Sequence, residues 1–164
     1  MKDRSIRIAR IVLTVLTVAA VAAIFFNSTR SAVESTEQST PLTEMINSFL
    51  ASLHIPLLIT ETMVRKAAHF TEYAVLGTLL TVTVYLYTQK RGRTFLCALP
   101  IGAAVAVCDE LIQLFPEGRS CEVRDMLIDF CGAAFAVLIV VLIISIIEKR
   151  KAVEIATASC KVSQ

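Results

Sequence analysis

Four long apolar runs constrain this chain more than any other feature. They cover residues 11–26, 67–87, 95–112 and 126–147. Each run is about as long as a helix needs to cross roughly 30 Å of hydrocarbon. Runs of this length without alternation of polar and apolar residues favour helices over a membrane barrel. With 55% hydrophobic side chains among 164 residues, the chain is predicted to be all-α: a polytopic membrane protein with a bundle of about four transmembrane helices.

The positions of the basic residues predict how these spans are oriented. Basic clusters precede the first span, separate the second from the third, and follow the fourth: Lys2, Arg4, Arg7, Arg10; Lys90, Arg91, Arg93; Lys149, Arg150, Lys151, Lys161. A four-span topology puts all three clusters on one side. The positive-inside rule makes that side the cytoplasm and predicts that both termini lie there. Nothing in the sequence indicates a nucleic-acid partner.

The first 64 residues divide into three predicted parts. A basic start and an apolar run also describe a signal peptide, but the long run and the poor cleavage site at residues 27–30 favour an uncleaved anchor. Residues 27–41 are rich in Ser, Thr and Glu, which predicts a flexible linker outside the cell. Apolar residues at helical spacing over 42–53 predict a short amphipathic helix that ends near residues 54–56. This helix lies on the outer membrane surface or caps the bundle.

The predicted organisation therefore has four parts. They are an N-terminal transmembrane anchor at 1–26, an extracytoplasmic linker and amphipathic helix at 27–64, a core of three spans at 65–147, and a cytoplasmic tail at 148–164. The five cysteines show no CxxC spacing, and Cys121 in the outer loop has no evident disulfide partner.

Charged and polar side chains interrupt the second, third and fourth spans. A charge inside a bilayer costs roughly 2.5–3.5 kcal/mol on insertion scales, so such groups usually mark a pathway, a ligand site or a partner charge. In the predicted topology the second span enters from outside, the third leaves there, and the fourth begins there. All three polar groups therefore lie in the outer leaflet, where at 1.5 Å of rise per residue they reach similar depths.

Spacing within each helix supports one shared site. Arg65, His69 and Glu72 lie three or four residues apart and share a face, as do Asp109 and Gln113. Because lipid-facing polar stripes are costly, the three faces are expected to turn toward one another and enclose a charged, outward-facing cavity.

The cavity combines two kinds of chemistry. Arginines can hold a phosphate or carboxylate through paired hydrogen bonds, and the imidazole and carboxylates can act as acid, base or Mg²⁺ ligands. The catalytic candidates are His69, Glu72, Asp109, Glu110 and Asp125, and the ligand-binding candidates are Arg65, Lys66, Gln113, Arg119 and Asp129. No metal site is assigned and no cofactor is identified. A structural alternative is that the arginines and carboxylates only pair with each other and pin the bundle.

Four motifs carry a family resemblance. They are Arg65-Lys66-x-x-His69-Phe70-x-Glu72-Tyr73-x-x-Leu76-Gly77, Asp109-Glu110-x-x-Gln113, Pro116-x-Gly118-Arg119 and Asp125-x-x-x-Asp129-x-x-Gly132. In order and spacing this pattern resembles the VanZ-like family of bacterial membrane proteins, over about residues 65–147. The resemblance implies a multi-pass envelope protein linked to resistance to the glycopeptide antibiotic teicoplanin, and it assigns no catalytic residue.

The sequence therefore favours a VanZ-like protein that binds an amphiphilic or lipid-linked anionic ligand and lowers teicoplanin susceptibility. Its expected partner is a membrane lipid or lipid-linked cell-wall precursor, or the glycopeptide itself. The alternatives are an intramembrane enzyme acting on a polyprenyl- or phospholipid-type phosphate, and a structural membrane protein.

Overall fold

The computed structural model describes residues 2–162, and it describes side chains for residues 4–157. Within that part the chain forms five helices and no strand: α1 (Lys2–Ser28), α2 (Ala32–Ser52), α3 (Glu61–Thr88), α4 (Arg91–Ile112) and α5 (Val123–Val162). All except α2 are long and apolar enough to cross a membrane. The predicted all-α polytopic bundle is confirmed, and α2 is the additional helix.

Helix α3 is the centre of the bundle and packs against all four other helices. Its buried residues Tyr73, Leu76 and Leu80 form the core together with Ala106 of α4 and Val137 of α5. Small residues let α3 and α5 approach closely, as is common where membrane helices pack. A Cβ atom on Gly77 would lie 2.5 Å from the carbonyl oxygen of Ala133, and one on Gly132 would overlap the carbonyl oxygen of Phe70.

The two ends of the bundle differ in chemistry. At the basic end, Arg10 donates a 3.0 Å hydrogen bond to the carbonyl of Leu86, and Arg91 pairs with Glu148 at 2.8 Å. All three predicted basic clusters lie at this end, except that the side chains of Lys2 and Lys161 fall outside the described residues. The opposite end, called the polar end below, holds the last turns of α1 and α4 and the first turns of α3 and α5.

The predicted flexible linker at 27–41 is wrong. Helix α1 continues to Ser28, and α2 begins at Ala32 and runs through Pro41. Ser31 caps α2 with a reciprocal pair of hydrogen bonds, because its Oγ accepts from the Glu34 backbone at 3.3 Å while its own N–H donates to the Glu34 carboxylate at 2.9 Å. This Ser-x-x-Glu signature is a capping box. It was not recognised from the sequence, because the Ser- and Thr-rich composition was interpreted as a linker.

The chain after the fourth span continues as a helix. Helix α5 extends through Val162 and so includes most of the predicted tail. The tail's Cys160 has a side chain outside the described residues, whereas Cys97, Cys108, Cys121 and Cys131 are free thiols. Cys121 thus has no disulfide in the described structure.

Helix α2 packs on the bundle with its polar side rather than its apolar side. Thr43 is buried, Thr40 donates a 2.8 Å hydrogen bond to Glu61, and the Asn47 amide both donates to and accepts from the backbone of Ile59 at 2.9 and 2.8 Å. The apolar residues Leu42, Met45, Phe49 and Leu53 are exposed. The helix ends at Ser52 and His54 takes a left-handed conformation with φ 56°, so the predicted break is confirmed.

Candidate functional site

The polar end of the bundle brings together side chains from α3, α4 and α5. Asp109 and Glu110 of α4 and Asp129 of α5 are buried, with 0–1% of each residue exposed. His69 of α3 lies beside them, with its Nδ1 3.5 Å from Asp129 Oδ1. One donor atom each from His69, Asp109 and Asp129 lies within 4.8 Å of the other two. The helical faces that the sequence placed at equal depth do meet in the structure.

The last turn of α1 contributes two site residues that the sequence analysis missed. Ser28 is buried and donates a short hydrogen bond to Asp109 Oδ1, and Asn27 donates to Glu72 Oε1 at 3.1 Å. Gln113, a predicted ligand residue, donates to Asp109 Oδ2 at 3.3 Å. Asn27 and Ser28 end an apolar run at the same depth as the other polar groups, so the depth argument could have found them.

The remaining predicted acidic residues have distinct surroundings. Glu110 Oε2 accepts a 3.0 Å hydrogen bond from the Glu122 backbone at the start of α5. Asp125 forms a salt bridge with Lys66, and both side chains are partly exposed, at 33% and 24%. This pair lies at the rim of the polar end. Lys66 therefore pairs with Asp125 and not with the buried carboxylates. Arg124, in the first turn of α5, is exposed.

Three arginines line a small cavity at the polar end. Arg30, Arg65 and Arg119 surround a volume of about 160 Å³, which His69 and Glu72 also line. Within the described structure, none of the three guanidinium groups has a hydrogen bond or a salt bridge. Burial, and after it the positive charge of Arg65, lowers the pKa of Arg119. Three partly buried cations therefore share a space in which, among the described residues, none of them forms a salt bridge with a carboxylate. This space is called the arginine cavity below.

Loop contacts hold Arg30 and Arg119 in place. Gly118 adopts a φ of 74°, which favours glycine, immediately before Arg119. The backbone N–H of Ala32 donates a 3.2 Å hydrogen bond to the carbonyl of Glu117, so the α4–α5 loop rests on the start of α2. Arg30 was assigned to the linker by the sequence analysis and was not recognised as a site residue.

An apolar groove adjoins the arginine cavity. It has a volume of about 820 Å³ and lies between α1, α2 and α3, and its walls include Ala20, Ile24, Leu42, Ile46, Met63 and Val75. Asn27, Val64, Ala68 and Glu72 line both spaces. The two spaces are therefore neighbours, with cations lining one and apolar side chains lining most of the other.

The buried carboxylates are incompletely satisfied. Both oxygens of Asp129 and Oε1 of Glu110 are buried without a hydrogen-bond partner. Among residues 4–157, neither these two residues nor Asp109 has a Lys or Arg within salt-bridge distance. The arginine–carboxylate network considered from the sequence is therefore not what holds the buried members of this site.

Comparison with known proteins gives one family match. A profile of the VanZ/LLP1 family matches residues 13–144, about four fifths of the chain. The matched region contains every site residue described above, and it extends the resemblance seen at residues 65–147 to α1 and α2. Searches of curated proteins and of solved structures give no match.

Proposed function

Because the chain belongs to the VanZ/LLP1 family of multi-pass membrane proteins, we propose that it binds an amphiphilic anionic ligand at the polar end of the bundle. The headgroup occupies the arginine cavity and the hydrocarbon chain lies in the apolar groove. The observation that carries this proposal is the set of three arginines that form no salt bridge in the described structure and line a cavity next to a large apolar groove.

The arginine cavity suits a phosphate or another compact anion. Guanidinium groups bind phosphate and carboxylate oxygens through pairs of hydrogen bonds, and basic pockets between membrane helices are typical lipid-headgroup sites. Burial is the main cause of the lowered pKa of Arg119, and the positive charge of Arg65 is the second, so the two guanidinium groups repel each other in the free protein. An anion between them would remove that repulsion and satisfy their donors, so ligand charge is the main source of selectivity.

The apolar groove suits a lipid chain. Its volume of about 820 Å³ is in the range of ordinary ligand pockets, about 300–1,000 Å³. It lies between two spans, so a molecule already in the bilayer could enter sideways without leaving hydrocarbon. The exposed apolar residues Met45 and Phe49 of α2 give that helix an interfacial character next to the groove.

The proposal includes an orientation and a class of ligand. By the positive-inside rule, the basic clusters favour a cytoplasmic position for the basic end and both termini, and the proposal is that the arginine cavity faces outward from a bacterial cytoplasmic membrane. The ligands available there are membrane phospholipids and lipid-linked cell-wall precursors. Binding one of these is the proposed route to lower teicoplanin susceptibility, and direct binding of the glycopeptide is the competing route.

An enzymatic version is the second candidate, because His69 and Glu72 line the same cavity as the arginines. These two side chains could act as acid and base on a polyprenyl- or phospholipid-type phosphate. Binding without turnover by the purified protein would reject this version and leave the binding proposal intact.

Binding is tested with purified protein in lipid nanodiscs and two matched probes, a long-chain polyprenyl phosphate and the corresponding neutral polyprenol. Arg119→Gln and Arg30→Gln should each weaken binding of the phosphate by about tenfold or more, since a charge-assisted hydrogen bond contributes about 1.5–3 kcal/mol. Binding of the neutral polyprenol should not change. Arg124→Gln is the control because Arg124 is exposed and the charge change is the same. Equal affinity for both probes would contradict the proposal.

The cellular consequence is tested by inhibitory concentrations of teicoplanin, with vancomycin alongside. A susceptible Gram-positive host expresses wild type, Arg119→Gln or Arg124→Gln at matched membrane abundance. Wild type and Arg124→Gln should raise teicoplanin tolerance, and Arg119→Gln should not. If Arg119→Gln protects as well as wild type, the arginine cavity has no part in tolerance.

A further inference from the structure

We propose that His69, Asp109 and Asp129 bind one divalent metal ion of the Mn²⁺ or Zn²⁺ class. The three residues come from α3, α4 and α5, and one donor atom of each lies within 4.8 Å of the others. No metal site was predicted from the sequence, although the carboxylates were considered as Mg²⁺ ligands. This site does not depend on the lipid ligand proposed above.

The donor set selects the metal class. One imidazole nitrogen and two carboxylates are ligands for Zn²⁺ and for Mn²⁺ or Fe²⁺, whereas Mg²⁺ and Ca²⁺ prefer oxygen alone. Ligand atoms about 2.0–2.2 Å from one metal ion are separated by roughly 3–4.5 Å from each other. The observed separation of up to 4.8 Å needs only a small inward movement of the side chains.

The electrostatics of the free site favour a cation. Asp109 and Asp129 are 0% and 1% exposed, and in the described structure no lysine or arginine pairs with either. Buried carboxylates are normally hydrogen-bonded or paired, because desolvating a charge is costly. Both Asp129 oxygens lack any hydrogen-bond partner. One divalent ion would neutralise both carboxylates and give those oxygens a partner.

Neighbouring residues already orient one ligand. Ser28 and Gln113 each donate to a different oxygen of Asp109, which holds that carboxylate while leaving lone pairs on both oxygens. Such outer-shell hydrogen bonds are a regular part of metal sites. Three protein ligands also leave coordination positions open, and His69 lines the arginine cavity, so the ion would lie at its edge.

The site is tested with full-length protein in nanodiscs, stripped by a chelator and titrated with Mn²⁺ alone while free Mn²⁺ is followed by electron paramagnetic resonance. Wild type should bind one ion per chain, and Zn²⁺ should compete. Asp129→Asn and His69→Ala should weaken binding by about tenfold or more, and Ser28→Ala by about tenfold. Glu148→Gln is the control, because it makes the same change of charge and Glu148 pairs with Arg91 at the opposite, basic end of the bundle.

A second readout does not depend on variants that fold poorly. Pulsed paramagnetic resonance of wild type loaded with one Mn²⁺ should show nuclear modulation from a coordinated histidine nitrogen. Absence of stoichiometric binding to wild type, absence of that nitrogen signal, or an equal loss in Glu148→Gln would each overturn the metal site. The first of these results would mean that protons neutralise the carboxylates. Binding of polyprenyl phosphate is also measured in the presence of chelator. If that binding persists when no metal binds, the metal proposal fails while the proposed function stands.

Discussion

The contact between α3 and α5 gives a sharp test of how this bundle is built, through the substitution Gly132→Ala. A Cβ at Gly132 would overlap the carbonyl oxygen of Phe70 and lie 3.1 and 3.2 Å from the carbonyl carbon and Cα of that residue. These are backbone atoms, so no rotamer change can relieve the overlap. The two helices must separate where His69 and Asp129 meet.

The size of the effect follows from two opposing terms. Overpacking a close contact costs typically 1–3 kcal/mol, and backbone contact favours the upper part of that range. Alanine recovers about 0.5–1 kcal/mol because glycine is the poorer helix residue. The expected net loss of unfolding free energy is about 1–2 kcal/mol. Since 1.36 kcal/mol is a factor of ten in an equilibrium constant, the folded-to-unfolded ratio should fall by roughly five- to thirtyfold.

The other glycines supply graded controls. Gly77→Ala meets the backbone of Ala133 at 2.5 Å and should cost a similar amount, whereas Gly102→Ala meets only the Ala133 Cβ at 3.2 Å and should cost less. Gly92→Ala meets nothing within 4 Å and should be neutral or slightly stabilising. The assay is reversible unfolding in mixed micelles, followed by circular dichroism. If Gly132→Ala is as stable as Gly92→Ala, close backbone approach does not hold α3 against α5.

Three further predictions follow from individual contacts. Burial first and the negative charge of Glu110 next raise the pKa of the Cys121 thiol, so its alkylation should require a higher pH than an ordinary thiol. Glu110→Gln should lower the pKa of the Cys121 thiol and speed its alkylation at fixed pH, as measured by mass spectrometry. An unchanged alkylation rate would contradict this prediction. A membrane-impermeant reagent would also report on which side of the membrane Cys121 lies. Ser31→Ala removes the α2 cap and should destabilise that helix by about 1 kcal/mol. The expected observation is faster amide hydrogen exchange confined to the first turns of α2. Unchanged exchange would show that the cap is dispensable. Neutralising Lys66 and Asp125 together should lower the free energy of unfolding by under about 1 kcal/mol, because partly exposed ion pairs contribute little to stability. A larger coupling energy in a double-mutant cycle would refute the position of this pair at the rim.

Some site residues could be identified from the sequence because their signals are local. The spacing of His69 and Glu72 sets a helical face, and the position of Asp109 near the end of an apolar run sets its depth. The capping box at Ser31 is equally local, but it was not recognised. A linker was predicted there from the Ser- and Thr-rich composition, at the point where α2 begins. Arg30 was not recognised as a site residue because it had been assigned to that flexible linker.

By itself, the sequence determined the length and number of the spans, the separation of basic from polar ends, and the residues that turn toward a common centre. These properties depend on hydrophobic length and on the helical repeat, which are readable within one segment. The tertiary structure decided the partners. Helices α3 and α5 approach along small residues, which sets Asp129 beside His69 and pairs Lys66 with Asp125. The contact between the α4–α5 loop and the start of α2 brings Arg30 and Arg119 to one cavity. The rotation and neighbours of each helix depend on packing between distant segments, so no single stretch of sequence contains them.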